Sequence, residues 1–245
     1  MSVVLFLGCA ASDLVPRISR SWQILLRIII KDYDVLGKRQ CCGMPFLLSG
    51  NITKAKERAQ ELAEVINKYD TVITGCPSCY RMFAYFYPKF LNVQLDAKVL
   101  HIVHVIYDAI KTGKISFRNS LEAFAYYHDP CELSRHMGVK EEPREILSRI
   151  PGLKFSTRIS DEKYIACCGG GGLMRVLYPK VSQEIAIEKI YEEILENEHN
   201  MIITACPFCV YIISDAIRVL GNEKALPVYD ISEVVLMALG EEIEY

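Results

Sequence analysis

Ten cysteines fall into two sets of five that share one order and nearly one spacing. Cys9, the doublet Cys41-Cys42 and the pair Cys76-x-x-Cys79 make the first set; Cys131, Cys167-Cys168 and Cys206-x-x-Cys209 make the second. The offsets from Cys9 to Cys131, Cys41 to Cys167 and Cys76 to Cys206 are 122, 126 and 130 residues, so each connection in the second half is slightly longer. A glycine follows each doublet, Gly43 and Gly169, and each pair reads Cys-Pro-x-Cys. A single duplication at this spacing restricts 245 residues to two similar lobes, because a solenoid needs shorter and more numerous units. Five disulfides would be the alternative use of ten cysteines. Adjacent cysteines strain the ring they would close, and the length and abundant Lys and Glu do not suit a small secreted scaffold. Metal ligation accounts for the pattern better.

The chain is 51% apolar and 24% charged, enough for a sizeable core in two lobes, expected at residues 1–115 and 116–245. A formal charge of -2 gives no electrostatic reason to expect a nucleic-acid partner. The densest basic cluster, Lys54, Lys56 and Arg58, reads as a solvated helix face. Leu7-Gly8-Cys9 has the look of a lipoprotein cleavage box, but no basic residue precedes it and the apolar run before it is short. The stretch at 25–30, apolar except for Arg27, stops at Lys31-Asp32, well short of the ~18 residues a membrane span needs. These features predict a soluble, cytoplasmic chain that meets a membrane only through a partner.

The expected elements repeat with the cysteines. Short apolar or aromatic runs at 3–7, 71–74, 123–127 and 201–204 predict strands, and apolar periodicity predicts helices at 18–30, 53–68, 143–150 and 182–197. Further helices are expected to begin at Pro77 and Pro207, since proline suits a first helical turn. In the helix at 53–68, Ala55, Ala59, Leu62, Ala63 and Ile66 share one face. Residues 92–120 read as the crossover between lobes, with a turn at Lys111-Thr-Gly-Lys114. Strands alternating with helices define an α/β fold of two tandem, pseudo-repeated Rossmann-like lobes with short parallel sheets. Cys9, Cys76, Cys131 and Cys206 then fall at strand carboxyl ends, where open α/β sheets build their sites. Cys76 and Cys206 also precede helix N-termini, whose free N–H groups favour thiolate.

Each set offers five thiolates, one more than tetrahedral zinc uses, and no bacterial ferredoxin run is present. An iron–sulfur centre with more than four protein ligands is the sharper expectation. Zinc in one of the two sites stays open, as does a purely structural role for both. The run Gly169-Gly-Gly-Gly172 lacks the Lys-Ser/Thr of a phosphate loop. Gly43, Gly169 and Gly170 are instead expected to bring backbone N–H groups close to sulfur. Met44-Pro45 should stiffen the first loop, so the two sites are not equivalent. His128, Asp129 and His136 flank Cys131 and are candidate proton carriers, though each could equally be a satisfied structural residue. Tyr80, beside Cys79, could donate to bound sulfur or simply pack.

The stretches Cys9…Cys41-Cys42-Gly43…Cys76-Pro-Ser-Cys79 and Cys131…Cys167-Cys168-Gly169…Cys206-Pro-Phe-Cys209, with His128-Asp-Pro-Cys131 and Pro143-Arg-Glu-Ile-Leu147, resemble the cysteine-rich CCG domain. That family includes catalytic subunits of heterodisulfide reductase and iron–sulfur subunits of lactate, glycolate, glycerol-3-phosphate and succinate oxidation systems. The resemblance covers nearly the whole chain. It implies two noncubane [4Fe-4S] clusters, one held by Cys9, Cys41, Cys42, Cys76 and Cys79, the other by Cys131, Cys167, Cys168, Cys206 and Cys209, with a disulfide cleaved between them. Some relatives are thought to carry zinc in one motif. Many members place His directly after the cysteine of the Asp-Pro-Cys stretch, where this chain has Glu132, which unsettles any proton-transfer role for that position.

Two functions follow from the resemblance. One is an oxidoreductase of the heterodisulfide reductase type that reduces or forms an S–S bond of a small-molecule or protein thiol. The other is a non-catalytic electron-transfer subunit of a hydroxy-acid or sugar-phosphate dehydrogenase. The chain has no flavin or nicotinamide fingerprint and no ferredoxin motif of its own, so either function calls for a ferredoxin-like iron–sulfur subunit, a flavoprotein subunit, or both.

Overall fold

A computed structural model describes residues 2–37, 40–157, 166–195, 197–221 and 226–241. Two four-stranded parallel sheets form its centre. The first comprises β1 (Val3–Phe6), β2 (Asp34–Leu36), β3 (Thr71–Thr74) and β4 (Lys98–His101), in the order 2-1-3-4. The second comprises β5 (Ala123–His128), β6 (Leu153–Ser156), β7 (Met201–Thr204) and β8 (Val228–Asp230), in the matching order 6-5-7-8. β1 and β3 are buried along their whole length, which is why they read as unbroken apolar runs rather than alternating ones.

The helices cover the sheets with faces the sequence marks. In α1 (Pro16–Ile29) the buried residues Ile18, Trp22, Leu25, Leu26 and Ile29 follow helical spacing. In α2 (Met44–Leu48) a proline occupies the first turn, as it does in α1. α3 (Ile52–Ile66) buries Ala55, Ala59, Leu62, Ala63 and Ile66, and Asn51 caps it by accepting from the Lys54 N–H at 3.1 Å. The short α4 (Pro77–Arg81) follows β3. α5 (Ile102–Lys111) starts directly at the end of β4. α6 (Glu141–Ser148), α7 (Met174–Leu177), α8 (Pro179–Ile190), α9 (Pro207–Val219) and α10 (Ile231–Leu239) complete the second half. π-helical turns at Ala10–Leu14, Met82–Leu91, Glu132–His136 and Tyr191–Leu195 complete the described elements. Two of them begin immediately after Cys9 and Cys131. Such turns concentrate at functional sites.

The stretch expected to be a plain crossover contains β4 and α5, and the sequence signals for the other outer strands β2, β6 and β8 are equally weak. These strands have only three or four residues, and β2, β4 and β6 are partly exposed, so no long apolar run marks them. The turn at 111–114 does follow α5, with Gly113 at φ +69°.

The halves pack reciprocally. α1 lies on α10 of the second half, while its counterpart α6 lies on α5 of the first. The turn at Ala10–Leu14 meets α9, and the turn at Glu132–His136 meets α4. The segments that carry the cysteines of each half therefore face cysteine-bearing segments of the other.

Candidate metal centres

In each sheet the chain leaves the two central strands in opposite directions: β1 runs to β2 on one side and β3 to β4 on the other. The crevice at that switch point is where an open α/β sheet binds its ligands. Cys9 follows β1 and caps the π-helical turn after it; Cys76 follows β3 and caps α4. Cys131 and Cys206 hold the same places after β5 and β7. The doublets arrive from the loops ahead of α2 and α7.

The structure brings each set of five together. In the first, sulfur contacts run from Cys9 to Cys41, Cys41 to Cys42, Cys42 to Cys79 and Cys79 to Cys76. In the second they run Cys131, Cys167, Cys168, Cys209 and Cys206, with 3.8 Å between the Sγ atoms of Cys131 and Cys167. The order of contacts is identical in the two halves. Three cysteines of each set are buried (Cys42, Cys76 and Cys79; Cys168, Cys206 and Cys209), and solvent reaches the other two. All ten are free thiols.

Crowding five thiols sets their protons in competition. Donation from Cys42 and then Cys9 pushes the proton affinity of Cys41 far down, and donation from Cys131 and then Cys168 does the same to Cys167. Cys9, Cys42, Cys79, Cys131, Cys168 and Cys209 are pushed up in turn, chiefly because they donate to neighbouring sulfur and because burial disfavours their charge. Cys76 is held down first by the Cys79 thiol and then by backbone N–H groups of Cys79 and Ser78. Cationic metal would displace these shared protons and neutralise the thiolates together. Five sulfurs in continuous contact exceed what one tetrahedral ion takes, and they fit a polynuclear iron–sulfur centre.

The glycines are placed for this chemistry. Gly43 and Gly169 lie at φ +93° and +85°, and each directs its N–H at the Sγ of the first cysteine of its doublet over 3.4 Å. The Gly170 N–H approaches Cys168, and a Cβ there would lie 2.4 Å from Ile212 Cγ1. Gly171 and Gly172 are exposed and a Cβ on either would meet nothing within 4 Å, so the tight packing at the site is confined to the first half of the glycine run.

The single residues around Cys131 separate into different roles. Asp129 is buried and accepts from Arg144 (2.9 Å), Thr157 (2.9 Å) and Ser134 (3.2 Å), which fixes the segment before Cys131 to α6. His136 is exposed, with Nε2 4.0 Å from Glu132, and partial loss of hydration followed by the nearby Arg81 charge lowers its proton affinity. His128 is buried and one ring nitrogen lies within 4.8 Å of the sulfurs of Cys168 and Cys209. Burial depresses its pKa to about 3, so the ring is neutral. Tyr80 packs between His101 and His104, with ring centroids 5.8 and 5.5 Å away.

Three residues have roles the sequence did not suggest. Arg58, expected on a solvated face with Lys54 and Lys56, instead donates from Nε to the Cys41 carbonyl at 3.0 Å and ion-pairs with Glu61 at 2.6 Å; the two lysines are exposed. The Tyr87 hydroxyl donates to the Cys42 carbonyl at 3.0 Å, so the doublet is held from both sides. Gly8 lies at φ +70°, and a Cβ there would come within 3.0 Å of Cys79 Sγ. A glycine directly before the first cysteine was the available signal for Gly8; nothing local marks the other two. Between the halves, Arg81 of α4 holds Glu132 with contacts of 2.9 and 3.2 Å. These residues stand beside Cys79 and Cys131, so the ion pair joins the surroundings of the two sites.

A duplicated α/β fold with a five-thiol crevice in each half defines a cysteine-rich metal-centre protein. The chain belongs to the cysteine-rich domain family, CCG, which matches residues 3–84 and 125–214. Its relatives include one subunit of the dihydromethanophenazine:CoB–CoM heterodisulfide reductase of Methanosarcina acetivorans, 31% identical over 249 residues, covering 99% of this chain and 60% of that protein. One subunit of the fumarate reductase (CoM/CoB) of Methanothermobacter marburgensis is 32% identical over 239 residues, covering 97% of this chain and 46% of that protein. Lactate utilization protein A 2 of Bacillus cereus is 27% identical over 249 residues, covering 98% of this chain and all of that protein. The chain thus spans about half to three-fifths of the first two relatives. Its family is one of iron–sulfur oxidoreductase subunits. Among the described residues, no helix is long and apolar enough to cross a membrane.

Proposed function

We propose that the chain is the S–S-bond-handling subunit of a heterodisulfide reductase-type oxidoreductase, with a disulfide reduced, or formed from two thiols, between two iron–sulfur centres. The ligands are Cys9, Cys41, Cys42, Cys76 and Cys79 in a lobe of residues 1–115, and Cys131, Cys167, Cys168, Cys206 and Cys209 in a lobe of residues 116–245. Each centre is a [4Fe-4S] cluster of noncubane form. The observation that carries the proposal is the pair of identical five-thiol chains, set in reciprocally packed halves and joined by Arg81 and Glu132. In the reducing direction RSSR′ takes up two electrons and two protons to give two thiols. When bound, the clusters supply the one-electron chemistry.

The protein's own part is to hold the two centres toward one junction, to offer N–H groups of Gly43, Gly169 and Gly170 to sulfur charge, and to present the Arg81 cation there. Electrons come from a ferredoxin-like or flavin-bearing partner subunit, in the cytoplasm or at the membrane surface. The chemical test is iron, zinc and acid-labile sulfide analysis of anaerobically prepared protein. About eight iron per chain is expected, and one zinc with about four iron would overturn one of the two clusters. Changing Cys42→Ser or Cys168→Ser should alter the spectrum of one centre; an unchanged spectrum would remove the fifth ligand.

A second function, electron relay in a lactate-oxidising system, is favoured by one observation. Lactate utilization protein A 2 shares 27% identity with this chain over 249 residues that include both cysteine sets. An EPR signal in the oxidised protein that appears on adding a thiol supports S–S chemistry; clusters blind to thiols support relay.

A further inference from the structure

Besides the loops after the doublets, the two halves differ at a buried position where their sites should match. Phe6 ends β1 three residues before Cys9, and His128 ends β5 three residues before Cys131. Both side chains are buried, at 0% and 1% exposure. Phe6 meets Phe83 edge-on at 5.0 Å, and its ring lies beside Gly8, so the first site has an apolar wall here. His128 puts a ring nitrogen within 4.8 Å of the sulfurs of Cys168 and Cys209, and its Nε2 has no hydrogen-bond partner. A buried polar atom without a partner is costly, and native interiors rarely leave one so. The neutral imidazole has one N–H to give, and the sulfurs of Cys168 and Cys209 are acceptors close to the ring.

We propose that His128 donates a hydrogen bond to sulfur of the second centre, and thereby gives that centre a higher reduction potential than the first. Resting on the cluster assignment above, this deepens it by ordering the two centres. A donor withdraws charge from sulfur and stabilises the reduced form, whereas Phe6 gives the first centre no such donor. The centres then differ in electron affinity although their cysteine sets match. An electron entering the chain would settle on the second centre first, and the first would be the stronger reductant toward a bound S–S bond.

The test is a potentiometric titration of the cluster-loaded chain, followed by EPR, for the wild type, His128→Phe and His128→Asn. The phenylalanine variant copies the first half and keeps a planar ring of similar volume; the asparagine variant restores an N–H donor. His128→Phe should lower the potential of one centre and leave the other unmoved, by about tenfold in its one-electron equilibrium, or about 59 mV. His128→Asn should recover part of that shift. Unmoved potentials in a His128→Phe protein with full iron content would overturn the hydrogen bond. Selective loss of iron from the second centre would also overturn it, by making His128 a ligand. Where a preparation carries no clusters, the ligand assignment has failed separately. The metal-free chain then still decides the hydrogen bond by imidazole nitrogen NMR. A proton on the ring nitrogen that faces Cys168 and Cys209 supports the donor role, and a proton on the other nitrogen excludes it.

Discussion

At the scale of single residues, Gly8 shows how little room the first site leaves. Its backbone is left-handed, and any Cβ would come within 3.0 Å of Cys79 Sγ, a sulfur fixed among its neighbours. Gly138 has nearly the same φ, +73°, with nothing within 4 Å. Alanine at either position costs about 1 kcal/mol of backbone strain, but only at position 8 does it also displace a thiol. Gly8→Ala is therefore expected to lose the first centre, holding about half the wild-type iron per chain. Gly138→Ala should keep its iron and lower only the unfolding temperature. Iron analysis beside thermal unfolding of both variants checks this, and equal iron in the two would show that Cys79 can shift. The ten cysteines were legible from spacing alone, because a duplicated pattern leaves little freedom in how they group. Arg58 and Tyr87 were not, because their partners are the backbone carbonyls of Cys41 and Cys42, and only the folded loop turns those carbonyls toward them.

At the scale of elements, the inner strands β1, β3, β5 and β7 stood out because burial on both faces leaves unbroken runs of apolar and β-branched residues. The outer strands did not. Lys98 and Asp34 sit in strands whose pairing is supplied by an inner neighbour, so tertiary contact rather than local propensity makes them strands. The joining of α4 to the turn at Glu132–His136 was equally hidden, since it pairs residues from different halves. Arg81 and Glu132 keep 20% and 27% of their side chains exposed, so solvent screens the pair and a coupling of about 1 kcal/mol is expected. A double-mutant cycle of Arg81→Met and Glu132→Gln, read by urea unfolding, should give that value and shrink as salt rises. Zero coupling at low salt would leave side-chain packing as the sole bond between these elements.

At the scale of the whole molecule, the junction of the halves carries a buried acidic network. Asp230 caps α10 and accepts from the Trp22 indole N–H of α1 at 3.3 Å and from the Ser232 N–H at 3.0 Å. Glu233 completes the cap by accepting from the Asp230 N–H at 2.8 Å and is also held by Arg17 of α1, which donates to the Val228 carbonyl at 2.7 Å. Burial raises Glu233 to about 7 and Asp230 to about 6, against 4.5 and 3.8 outside the fold, and Arg17 only partly offsets it. Between the unfolded and folded values, the folded protein keeps protons that the unfolded chain has already released. The stability these groups contribute is therefore fully present below about pH 4 and declines as pH rises to about 7. Glu233→Gln stays uncharged throughout, so the stability difference between it and the wild type should change over that interval and level off above it. Trp22 is the only tryptophan, fully buried at the junction, and its fluorescence follows urea unfolding of both proteins from about pH 5 to about pH 8. A difference that stays constant with pH would mean that Arg17 outweighs burial and keeps Glu233 ionised, so that the halves are joined by a permanent ion pair instead of a protonated carboxyl.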